Sequence, residues 1–224
     1  MKIIKIVLSI SFLFFSNYII GQSENPISKF EDVLGKTNSE TLTFLVSDFE
    51  NNFLITNYPN LSTQNAYEKF LLEISQGNTS YLDKISKESK LTFKNSQLNN
   101  EIYYYRDSVW FDNEKLKERF VYKVTNGEKE YITKEVHQKE FMLKIKKDSL
   151  IQLMLESPRD YKSYGKYMNA LNLIKLGDSF IENYCSDKEV GFLIPELTAK
   201  WVLEYKLDYT NYFHKRIVLL EFVY

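Results

Sequence analysis

One cysteine, Cys185, stands in a chain of 224 residues. It has no partner for an internal disulfide. With only Lys188 nearby to favour a thiolate, it reads as a small buried hydrophobe. Histidine is almost as scarce, with His137 and His214 alone, a thin supply for zinc. Seven glycines and four prolines argue for long elements over many tight turns. No sign of charge dominates, since 29 Lys and Arg stand against 30 Asp and Glu. Nucleic-acid binding needs a basic face, and no block of basic residues supplies one, so that partner is not expected. A Walker loop, Gly-x-Ser-x-Gly and Cys-x-x-Cys are all missing, and no cofactor is expected.

One long uncharged run occurs, IVLSISFLFFSNYIIG at residues 6–21. Its densest apolar part, Ile6 to Phe15, falls short of the roughly 20 residues that span a bilayer core. Lys2 and Lys5 precede the run, and Gly21 is followed by Gln22, Ser23, Glu24 and Asn25. A positive start, a short apolar middle and a small residue before a polar stretch make residues 1–21 a secretory signal peptide. An uncleaved anchor is the alternative. A cut after Gly21 removes Lys2 and Lys5 and no acid, which leaves 27 basic and 30 acidic side chains, a formal charge of −3. The expected product is a single secreted or periplasmic domain, residues 22–224, with no stable transmembrane segment after signal cleavage.

Aromatic residues are plentiful, with 17 Tyr and 16 Phe. Each buried ring removes about 150–250 Å² from water, so a ring-rich core can do without cross-links. The expected fold class is mainly α (α+β), a helical domain with a small antiparallel hairpin or meander in the middle of the chain. Residues 22–37 are a lead-in or a short helix. Leu42, Leu45, Val46, Phe49 and Phe53 form one helical stripe, with Asn38 or Ser39 as cap. Ser62 or Thr63 opens a second helix, stopped by Gly77, and Thr79–Asn95 makes a third. EIYYYR, SVWF and the two runs flanking Asn126-Gly127 suit strands in an insert at about 102–146. Phe141, Leu143 and Ile145 extend them by alternation. The competing reading is helical, since Leu116, Phe120 and Val124 stand four apart. Helices resume with Leu150–Glu156, with the stripe Tyr164, Tyr167, Leu171 and Ile174, and with a short helix from Asp178. Two more follow, one opened by Pro195 and one capped by Asp208.

Three groups of residues invite a functional reading. LGDSF at 176–180 resembles the Gly-Asp-Ser nucleophile block of the lipase and esterase family that carries that name. The resemblance implies a secreted serine hydrolase with Ser179 as nucleophile and His214 as base. It covers three residues, and Asn211 stands where the family's histidine block has an acid. The bland reading is that Gly177 ends one helix and Asp178 or Ser179 caps the next. Glu135, His137 and Glu140 are the sole acid–histidine cluster, but no one conformation collects all three, and no metal is expected. EIYYYRDSVWF is the densest aromatic patch, and Tyr103, Tyr105 and Trp110 are candidates for a glycan-stacking platform. The favoured function is non-catalytic binding or interaction at the cell envelope or outside, with a protein or glycan as partner. The hydrolase and the glycan-binding module are the alternatives.

Overall fold

The computed structural model describes residues 25–125, 128–136, 142–156, 159–190 and 194–224. The expected signal peptide, residues 1–21, lies outside them. Asn25 opens the first helix, its side-chain oxygen accepting from Ile27 N at 3.0 Å. Pro26 takes the first helical position, where a missing N–H is harmless. Helix α1 (Pro26–Leu34) buries Phe30 and Leu34. Gly35, at φ +87°, turns the chain into α2 (Lys36–Asp48). A side chain is disfavoured at that angle. The expected caps Asn38 and Ser39 therefore sit inside α2, and both are buried. Asn38 instead donates to Leu34 O at 2.9 Å, satisfying an end carbonyl of α1. The helix runs on through a π-helical stretch, Phe49–Leu54, and a last α turn, Ile55–Asn57. Its stripe from Leu42 to Phe53 is buried as the spacing requires.

Helix α3 (Thr63–Ser75) starts at the Ser62 cap and is followed by Gly77 at φ +81°. The single helix expected over Thr79–Asn95 is broken into a 3₁₀ turn, Ser80–Lys84, and α4 (Lys87–Asn95), with α5 (Gln97–Ile102) beyond. Ser86 and Ser96 cause the restarts. Their hydroxyls accept from Ser89 N at 3.1 Å and Asn99 N at 3.2 Å. Such side-chain bonds compete with a continuous helix.

The middle of the chain forms strands. β1 (Tyr103–Asp112), β2 (Lys115–Thr125) and β3 (Glu128–Glu135) make an antiparallel meander. Asn113 and Glu114, at φ +46° and +70°, form the first turn. Two left-handed residues suit a two-residue hairpin because their twist matches that of the strands. β2 and β3 pair as far as Thr125 and Glu128. Asn126 and Gly127, between them, lie outside the described residues. The strand expected to include Leu143 and Ile145 does not form there. Met142–Lys144 is a short 3₁₀ turn with Leu143 exposed, and Phe141 lies outside the described residues. Helix α6 (Lys147–Glu156) covers one sheet face, where Val109, Leu116 and Leu150 make a small second core. A short strand that alternation did not reveal, β4 (Arg159–Tyr161), joins the other edge and gives the order β3-β2-β1-β4.

The last helices are α7 (Lys166–Ile174), α8 (Ser179–Val190), α9 (Pro195–Glu204) and α10 (Tyr212–Phe222). Tyr164, expected on the α7 stripe, is exposed. Gly165 comes between it and the helix, and a side chain there would collide with Glu101 O. Asn211, not Asp208, caps α10, its oxygen accepting from Phe213 N at 2.8 Å. The main core is aromatic. The Phe30 ring meets Tyr167, Tyr212 and Phe213 edge-on, and Phe70 meets Phe49, Phe53 and Tyr81 in the same way. Cys185 is fully buried within it.

Candidate functional site

The aromatic patch is built by an irregularity in β1. Regular alternation puts Tyr105 and Trp110, five positions apart, on opposite faces of a strand. The pairing with β2 slips between Arg106 and Ser108, so Asp107 is an extra residue. A bulge of this kind re-aims every side chain beyond it. Tyr105, Ser108 and Trp110 thereby share one face, opposite the face that α6 covers. A second slip, between Val121 and Lys123, places Tyr131 across from Val121. Three cross-strand rows result: Tyr131–Val121–Tyr105, Thr133–Arg119–Ser108 and Glu135–Lys117–Trp110.

The rows are held by charge. The Arg119 guanidinium lies 4.7 Å over the Tyr131 ring, and its Nε donates to Asp107 Oδ2 at 2.8 Å. That hydrogen bond pulls the Asp107 carboxyl below its ordinary range. Lys117 pairs with Asp112, which raises the lysine's pKa. Tyr131 is 45% exposed, while Trp110 and Tyr105 are half-buried. The remaining residue expected on the platform, Tyr103, lies two positions before Tyr105, which itself packs against the main core at that end of the face. Tyr103 is buried, with its ring edge-on to Phe93 and Tyr161, and it belongs to the main core. Tyr131 and Arg119 were not legible as site residues. Counting pairs outward from Asn126-Gly127 sets residue 122 opposite Tyr131, because nothing in the local sequence announces the slip.

Ser179 and His214 take different roles. Ser179 is exposed on the first turn of α8. Asp178 caps that helix, its Oδ1 accepting from Phe180 N at 3.1 Å and Ile181 N at 3.2 Å. Its Oδ2 lies 2.8 Å from His214 Nε2, while His214 Nδ1 lies 3.1 Å from Asp208 O. Both ring nitrogens thus face an acceptor, a carboxylate and a carbonyl. Gly177, at φ +88°, and Asp178 occupy the stop and cap positions expected of them.

Of the acid–histidine cluster, His137 and Glu140 lie outside the described residues. Glu135 pairs with Lys115 at 3.0 Å on the surface. Among the described residues no group of three or more His, Cys, Asp and Glu is placed to hold a metal ion, and no helix is long and apolar enough to cross a membrane. No protein family, curated protein or solved structure matches the chain.

Proposed function

We propose that the protein is exported and acts at the cell envelope or outside it as a non-catalytic binding protein, with the open sheet face as a glycan-recognition surface. The observation that carries the reading is the bulge at Asp107, which sets Trp110 and Tyr105 on the face that also bears Tyr131 and Arg119. A sugar offers an apolar C–H face for stacking and hydroxyls at its edge. Each ring-bearing position on this surface has a charged or hydroxyl side chain in the same or the next row, which serves both needs. A protein partner is less well matched, since protein interfaces centre on apolar residues with a polar rim. Here the centre is Arg119, tied to Asp107. Export is supported by Lys2, Lys5, the apolar run and Gly21, in a chain that needs no disulfide.

The test is titration of the protein with a panel of envelope and extracellular oligosaccharides, followed by Trp fluorescence. Trp201→Phe isolates the Trp110 signal. Saturable quenching that Trp110→Ala abolishes and Ser179→Ala leaves intact supports the reading. Glycan turnover that depends on Ser179 defeats it.

A further inference from the structure

A second concave surface lies on the helical side of the molecule. Helix α9 packs along α3, and the chain after α9 turns back over their junction. A groove of about 530 Å³ opens there, within the roughly 300–1,000 Å³ range of small-molecule sites. Leu72, Val202, Leu203 and Leu207 form its apolar wall. Leu72 stays 42% exposed and Leu203 half-buried, while Val202 and Leu207 are buried beneath them. The turn is fixed from below. Gln64 donates to Leu207 O at 2.8 Å and accepts from Tyr209 N at 3.0 Å, and Tyr209 stacks on Tyr67 with centroids 4.4 Å apart.

Charge sits at the rim. Lys206 lines the groove in a left-handed backbone conformation, φ +49°, and is exposed. Lys69, also at the rim, has only a loose pair with Glu73 at 3.8 Å. The acid of the rim, Glu68, has one oxygen taken by the Gln64 amide at 2.7 Å. An apolar trough whose lining carries two ammonium groups, one of them loosely paired with Glu73, and one part-occupied carboxylate complements a molecule with an apolar body and an anionic head. Burying the body contributes in proportion to the apolar area covered, and the lysines select the head.

We propose that this groove binds a single-chain alkyl carboxylate, its tail along Leu72 and Leu203 and its carboxylate at Lys206 and Lys69. The site is independent of the sheet face. A groove that binds while the sheet face does not, or the reverse, separates the two readings.

The experiment is isothermal titration calorimetry of the purified protein with dodecanoate below its micelle concentration. Saturable one-to-one binding is expected. Lys206→Glu with Lys69→Glu weakens it by about tenfold or more, the size of a lost charged hydrogen bond. Leu72→Trp, which fills the trough from an exposed position, also weakens it, and Trp110→Ala does not. Three results overturn the proposal: no saturable heat, equal binding by the double lysine variant, or equal binding of dodecyltrimethylammonium.

Discussion

His214 and Asp178 are joined through Nε2 and Oδ2 at 2.8 Å, and the second oxygen of the same carboxylate caps α8. One side chain thus ties the start of α8 to the start of α10. Asp178→Ala removes a helix cap, about 1 kcal/mol, and a charged hydrogen bond, about 1.5–3 kcal/mol. A loss of about 2–4 kcal/mol in urea unfolding is expected. Ser179→Ala, with its hydroxyl exposed, stays within about 0.5 kcal/mol of the parent.

Lys188 and Glu221 form a buried pair at 2.7 Å, and Tyr184 donates to the same glutamate at 3.1 Å. Removing either charge strands the other in the core. Lys188→Ala is expected to cost about 3–5 kcal/mol, while Lys188→Met combined with Glu221→Leu recovers most of it. Chemical denaturation of Lys188→Ala, Glu221→Ala and the double variant checks this. Equal losses in all three would mean that packing, not the stranded charge, sets the cost.

The tyrosines predict the alkaline limit. Burial raises Tyr67, Tyr161, Tyr167 and Tyr184 well above the ordinary phenol value, and raises Tyr224 to about 12. A folded pKa above the unfolded one means that the folded state holds its protons longer. The associated stability is intact below the unfolded value, about pH 10, and falls as pH climbs above it. Absorbance at 295 nm should therefore show these phenols ionising together with unfolding, in one cooperative step. Gradual ionisation in the folded protein would contradict it.

Asp107 sets the acid behaviour of the sheet face. Its carboxyl is held low by the Arg119 hydrogen bond. The contribution is present above the ordinary aspartate range, about pH 4, and is lost as pH falls below it through the folded value. NMR of the Arg119 side chain should report its release from Asp107 only in that acid window. Asp107→Asn abolishes the transition.

Gly165 admits no side chain, because a Cβ would collide with the backbone oxygen of Glu101. Gly165→Ala forces α5 and α7 apart, and overpacking of this kind costs about 1–3 kcal/mol. A thermal melt of the variant beside the parent protein tests the expectation.

The sequence by itself determined most of the helical architecture and the existence of the meander. Stripes such as Leu42 to Phe53, the Ser62 cap, Gly77 and Gly177 act through neighbours within a few positions, so their signals are local. The same is true of Asp178 as a cap. Local reading failed where two local signals competed, as when Ser86 broke the helix expected over Thr79–Asn95 into a 3₁₀ turn and α4. Tertiary structure alone decided the sites. The face that Trp110 shares with Tyr105 and Tyr131 depends on slips in pairing at Asp107 and residue 122. His214 meets Asp178 across 36 positions, and Lys188 meets Glu221 across 33. Such contacts arise from the packing of whole helices, and no window of neighbouring residues encodes them.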